Sequence, residues 1–197
     1  MKVGMAKAMR AGVLVSLCLA ALSACTESFD LTRNFEATAT PTEALVVDNA
    51  AGSVRLRRTG AGGTISGTIK IHAAGFDQAA QARTAAEQVA IVERMNGGEL
   101  VLSVEIPAGN RNKTFAVTFD LIVPDNLVVS SITDTGRVTI DGLMVAEVDT
   151  TLGEVDLAFT SARPGERTIV RTSDGRVTVD SHEGELDIAT TNAPIDL

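Results

Sequence analysis

"TDTGRVTIDGLMVAEVDTTLGEVDLAFTSARPGERTIVRTSDGRVTV", residues 133 to 179, carries one short beat three times. A polar cluster leads into a Gly, one residue intervenes, and two aliphatics then alternate with polar neighbours. The copies are Thr133 to Ile140, Thr150 to Leu157 and Thr172 to Val179. Alternation with period two marks a half-buried strand, so Val138/Ile140, Val155/Leu157, Val177/Val179 and the later Leu186/Ile188 point to one side. The Gly supplies a positive φ at the corner between strands, where a β-branched residue would be strained.

Working outward, "DNAAGSVRLR" (48 to 57) and "MNGGELVLS" (95 to 103) repeat the beat, and "TTNAPIDL" closes the chain with a degenerate copy. The turn glycines of the repeat are therefore Gly52, Gly98, Gly136, Gly153 and Gly175. From Gly136 the spacings to Gly153, Gly175 and Ala193 are 17, 22 and 18 residues. A repeat of about 20 residues holding short strands indicates units that bury their apolar faces against neighbouring units. The expected fold is mainly β, a β-solenoid-like stack of short strands. A β-sandwich is the alternative, because regularly spaced short strands also fit antiparallel hairpins.

Two segments depart from the beat. "GFDQAAQARTAAEQVA" (75 to 90) places Phe76, Ala80, Ala86 and Val89 near helical spacing, which predicts a helix of about three turns with Asp77 as its cap. Asn96-Gly97, set between alternating apolar runs, is a hairpin signal.

The first 24 residues read as an export signal rather than as part of the fold. Lys2, Lys7 and Arg10 form a basic start, and residues 11 to 24 form an apolar run too short for a typical membrane span of roughly 20 residues. The run ends in Leu22-Ser23-Ala24-Cys25, which resembles the lipobox of bacterial lipoproteins. That resemblance implies acylation at Cys25, cleavage before it, and anchoring without spanning. Thr26 follows, and by the same resemblance a residue other than Asp there favours the outer membrane. The organisation expected is a lipoprotein signal peptide over 1–24, a lipidated tether leading into a first edge strand over 25–43, and a solenoid-like domain over 44–197. Cys18 would leave with the signal, so no internal disulfide is available to the mature chain.

The signal carries three of the 17 Lys and Arg and none of the 25 Asp and Glu, so the mature chain has 14 basic and 25 acidic residues, a net of −11. Such a surface repels phosphate backbones and argues against nucleic acid as a partner. With no Trp, no Tyr and six Phe, the core must come from Val, Ile and Leu, and a dedicated sugar-stacking module has no indole or phenol to use.

The segment "FDLIVPDNLVVSSITDTGRVTIDG" brings Val123-Pro124 ahead of the repeated beat. Together with "VVDNAAGSVRLRR" and the Ala-rich helix, this resembles a bacterial family of unknown function known as "putative adhesins", over residues 35 to 197. The resemblance implies a β-solenoid-like envelope domain and supplies no catalytic residues. The last copy departs from its pattern, with Ala193-Pro194 where the others have Gly and a free residue, as suits a terminal edge.

Candidate chemistry is sparse. Asp180, His182, Glu183 and Glu185 lie close together in sequence, but strand neighbours face opposite sides and "DSHEG" reads as a polar corner. His72 and His182 are the chain's two His, 110 residues apart, so no His or Cys set at ligand spacing exists for a transition metal. Asp141, Asp156, Asp180 and Asp187 could stack as an acidic ladder for calcium or for glycan hydrolysis. Their offsets from the preceding Gly differ, however, being five residues after Gly136, three after Gly153 and five after Gly175. No nucleophile elbow or phosphate loop is present. No catalytic residue, metal or cofactor is therefore assigned.

The expected function is a non-enzymatic, lipid-anchored envelope protein that presents a rigid acidic surface for adhesion or protein interaction. The partners would be the membrane, through the lipid, and an envelope protein or surface ligand. A polysaccharide-acting β-helix enzyme and a periplasm-facing accessory lipoprotein are the alternatives. Residues 171 to 197 end on a partial beat, so a neighbour covering this end, or a longer natural domain, is expected.

Overall fold

The computed structural model describes residues 26–39, 42–60, 62–110 and 112–197; Cys25 and the export segment lie outside the described residues. In chain order the elements are β1 (Glu27–Thr38), β2 (Ala44–Ala51), β3 (Val54–Arg58), β4 (Thr64–Phe76), α1 (Ala79–Gln88), β5 (Ala90–Asn96), β6 (Glu99–Glu105) and β7 (Thr114–Val123). They continue with β8 (Val128–Thr135), β9 (Val138–Asp141), β10 (Met144–Leu152), β11 (Val155–Ala158), β12 (Thr160–Ser161) and β13 (Arg167–Asp174). The last are β14 (Val177–Val179), β15 (His182–Glu183), β16 (Glu185–Thr190) and β17 (Ile195–Asp196).

These strands form two sheets around one core. The first has the order β1-β4-β7-β3-β9-β11-β14-β17. The second runs β5-β6-β2-β8-β10 and on through β13 to β16, with the short β12 and β15 alongside. From β8 onward the chain alternates between the sheets, and each strand pairs in parallel with its counterpart one turn later. Val138 thus aligns with Val155, Val155 with Val177, and Val177 with Ile195. The fold is mainly β, and its parallel coil corresponds to the stacked repeat expected from the beat.

The turns do not stack in chain order. β6 pairs in parallel with β2, and β7 with β3, so β6–β7 is a turn lying on one side of β2–β3 while β8–β9 lies on the other. The chain lays down β2–β3, leaves for the antiparallel β4, crosses through α1 to the other sheet, and returns by the β5–β6 hairpin. The hairpin turn has Gly97 and Gly98 at φ 58° and 91°, as a two-residue type I′ turn requires. Gly98 belongs to that turn, which separates it from the other four turn glycines.

Helix α1 closes this end of the core. Ala82, Ala85 and Ala86 are buried in the same cluster as residues of both sheets. The expected Asp77 cap is not formed, because the helix starts at Ala79 with Gln78 at the N-cap and no side-chain bond there. Its other end is satisfied from β1. Arg33 donates to the carbonyls of Val89 and Glu87, each at 2.8 Å, and of Ala86 at 3.4 Å, placing a cation at the negative end of the helix. β1 is the edge of the first sheet and runs antiparallel to β4 from Glu27 to Thr38.

The beat has two physical causes. Gly52, Gly136, Gly153 and Gly175 stack in a column. A Cβ added to Gly136 would meet the carbonyl oxygen of Gly52, one on Gly153 that of Gly136, and one on Gly175 that of Gly153, all well inside 3.0 Å. Gly52 closes the series against Val117 of β7. Three of the four have positive φ, but Gly153 does not, so there the glycine is dictated by space alone.

Three residues before each glycine lies a second column, Asn49, Thr133, Thr150 and Thr172, all buried at 5% exposure or less. Thr133 and Thr172 donate to the corner carbonyls of Thr135 (3.3 Å) and Asp174 (3.4 Å), and Asn49 Nδ2 donates to Val117 O (2.8 Å). Thr133 and Thr172 thus bond their own corners, Thr150 Oγ1 is buried without a partner, and the glycine of each turn lets the next turn approach.

At the far end, Leu186 and Ile188 are half-buried, Ile195 is exposed, and Leu197 is 86% exposed. Leu197 does not pack beneath its own chain.

Candidate functional site

The parallel register fixes where each sequence candidate lies. Asp141 and Asp156 face outward from the first sheet, Asp187 sits in β16 of the second, and Asp180 stands at the corner between them. The acidic ladder therefore does not form. Asp156 aligns with Thr139 and Thr178, not with another Asp. Among the described residues no three of His, Cys, Asp and Glu are grouped closely enough to hold a metal ion.

At the Asp180-to-Glu185 corner, His182 Nδ1 lies 3.0 Å from Thr160 Oγ1 of the turn below, while its Nε2 is buried without a partner. Burial lowers the His182 pKa below the ordinary imidazole value. His72, the other histidine, pairs with Asp30 at 2.7 Å on the β1–β4 edge. The two histidines belong to separate local arrangements.

What the coil does create is a charged outer face. Arg137 bonds Glu154 and lies 3.4 Å from Asp156, while Arg176 lies 3.7 Å from Asp196. The Arg137 pKa is raised, first by the hydrogen bond to Glu154 and then by the field of Asp156. On the second sheet Arg171 pairs with Glu147, and Arg167 lies 3.7 Å from Asp187. Each pair joins one turn of the coil to the next. Such exposed pairs contribute little individually, but they link successive turns.

A cavity lies at the helical end. It has a volume of about 620 Å³ between the β6–β7 corner and β7, where Ile106, Pro107 and Phe115 line it. A second depression of about 500 Å³ lies along α1, and both share Asn110 and Lys113. Lys113 bonds the carbonyl of Gly75 and stands 5.1 Å over the Phe76 ring, which meets Phe115 edge-on at 6.2 Å. The cation is thereby committed to the fold.

Phe159 is the one non-glycine at positive φ among the described residues, at 51°, and is 68% exposed. It follows β11 at the corner where the preceding turn has Gly142, at φ 73°. Left-handed backbone costs an L-residue roughly 1–2 kcal/mol, and glycine's greater chain entropy returns part of that. Phe159→Gly should therefore raise stability by about 0.5–1 kcal/mol, seen as a melting temperature higher by about 2 °C. A lower melting temperature would show that the ring makes a stabilising contact.

No family model matches this sequence, and no curated protein matches it. Among solved structures, the chain is similar to a "putative cell adhesion protein" from Clostridium sporogenes, with 10% identity, 85% of this chain and 98% of that chain covered, and a TM-score of 0.47. It is also similar to a "putative adhesin" from Bacteroides fragilis, with 9% identity, coverage of 86% and 97%, and a TM-score of 0.29.

Proposed function

We propose that the chain is a lipid-anchored protein of the bacterial envelope that acts by binding, through the outward faces of its coil, rather than by catalysis. The observation that carries this reading is the arrangement of polar side chains. Strand neighbours lie about 4.8 Å apart in a sheet, and charged residues here are spread along the faces in that register instead of converging on one reacting centre. A rigid polar face suits recognition of an extended partner. Phe159 adds an exposed aromatic of the kind enriched at protein contacts.

The anchor would lie close to the fold. β1 begins at Glu27, two positions after Cys25, and a chain spans at most about 3.5 Å per residue. Acylation at Cys25 would hold the end of β1 within about 7 Å of the attachment point, bringing the helical end of the coil next to the membrane and leaving the Leu197 end outermost.

Cys25→Ser tests the anchor. Cells labelled with a radioactive fatty acid should show label on the native chain in the membrane pellet. The variant should be unlabelled and shift to the soluble fraction. A variant that stays membrane-bound would contradict the lipid anchor.

A further inference from the structure

A depression of about 270 Å³ lies on the outer face of the first sheet, across β4, β7, β3 and β9. Its floor carries the hydroxyls of Ser53, Thr118 and Thr139 and the carboxylate of Asp120, and three cations, Arg55, Lys70 and Arg137, border it. Register places Lys70 beside Thr118, and Arg55 beside Thr139. Three strand spacings separate the outer cations, a width of about 14 Å.

In a chain this acidic, most cations are already engaged. Arg57, Arg83, Arg94, Arg163, Arg167 and Arg171 have carboxylates within 4.0 Å, as do Arg137 and Arg176. Arg33 and Lys113 bond backbone carbonyls. Among the described residues, Arg55, Arg58 and Lys70 have no such partner, and two of these three border the same depression. Asp120 is the strand neighbour of Arg55, yet its carboxylate is held by Arg57 at 2.8 Å. Arg55 and Lys70 therefore face solvent without an ion-pair partner, over a floor of hydroxyl groups and the one carboxylate that Arg57 holds.

We propose that this depression binds an anionic saccharide, with Arg55 and Lys70 holding a carboxylate or phosphate group and Ser53, Thr118 and Thr139 hydrogen-bonding the sugar hydroxyls. Guanidinium and ammonium groups form the stronger, charge-assisted bonds to such oxygens. The floor hydroxyls both donate and accept, which matches sugar hydroxyls rather than a bare anion. This names the ligand of the binding face described above, and it rests on that face being exposed in the envelope.

The test is calorimetric titration of the full chain in detergent with three probes: trigalacturonate, maltotriose and inorganic phosphate. Trigalacturonate should bind, with an affinity that falls as salt is added. Maltotriose should not bind, and phosphate should bind more weakly than trigalacturonate. The Arg55→Ala/Lys70→Ala variant should lose at least about tenfold in affinity, as removal of two charge-assisted contacts implies. An Arg83→Ala/Arg94→Ala control should bind like the native chain.

Equal binding by both double variants would overturn the site. Phosphate binding as tightly as trigalacturonate would overturn the saccharide and leave a simple anion site. Failure here combined with Cys25-dependent membrane retention would strike this site alone; failure of retention would strike the anchor.

Discussion

Gly153→Ala should lower stability by about 4 kcal/mol, in the range reserved for a steric change that the surroundings cannot absorb. For a domain of this size, that is a melting temperature lower by roughly 10 °C. Gly153 has no left-handed φ to lose, so the whole effect comes from space. The new methyl would drive into the carbonyl of Gly136 and would also lie 2.7 Å from Thr150 Oγ1. Neither neighbour can move freely. The carbonyl is backbone of the adjoining turn, and Thr150 is buried in the polar column. The two turns must separate, which breaks the hydrogen bond from Val138 N to Glu154 O (2.8 Å).

Two controls isolate this cause. Gly63 has open space around it and no left-handed φ, so Gly63→Ala should be neutral within about 0.5 kcal/mol. Gly165 also has open space but a φ of 82°, so Gly165→Ala should cost about 1 kcal/mol from conformation alone. Thermal melts of the three variants check the order. Equal losses at Gly153 and Gly165 would show that the close approach has no energetic weight.

Asn49→Ala should cost about 3 kcal/mol, the sum of an unmet buried carbonyl and a small cavity. Asn49 is 1% exposed, and its amide reaches across to Val117 O, in a turn that is 68 residues away in sequence. It fastens β2 to β7, the junction at which the stacking departs from chain order. Asn49→Thr should recover part of the loss, because Thr133 and Thr172 at the equivalent place in two later turns bond their own corner carbonyls. Chemical denaturation of both variants gives the comparison, and Asn49→Thr no better than Asn49→Ala would remove the corner role from this column.

Much of this coil can be read from the beat, and the reasons are local. Thr three residues before Gly, with Val two residues after it, encodes a buried polar corner, a close approach and an inward strand face within one stretch of chain. Asn96-Gly97 likewise encodes its hairpin within four residues. The order of stacking is not local. Alternation in β6 and β7 shows that each strand has a buried face, but it carries no label for the neighbour it will join. Asp77 failed as a cap because a good capping residue one position too early cannot reach the first free amides. Asp141 and Asp156 lie on the first sheet and Asp187 on the second, a separation that sequence spacing does not display.

The cationic depression is invisible in sequence for a related reason. Arg55 lies in β3, Lys70 in β4 and Arg137 just before β9, and they border one depression only because β7 and β3 lie between β4 and β9. Their net charge is hidden twice, in an acidic chain and beside a carboxylate that turns to Arg57. The local signal is the run Arg55, Arg57 and Arg58, set in a stretch from 49 to 76 that holds no Asp or Glu.

The stacking of the turns through the beat is the premise on which both the binding face and its register depend. Native-state amide hydrogen exchange measures it directly. The amides of Val54, Val138 and Val155 each donate to the next turn, to Arg137 O, Glu154 O and Arg176 O at 2.8 to 2.9 Å. These three should exchange only through global unfolding, while the amide of Val177, bonded to the outermost turn at Pro194 O, should exchange through a smaller local opening. Exchange of Val54, Val138 and Val155 as rapid as that in the open turn at Gly165 would contradict the stacked coil.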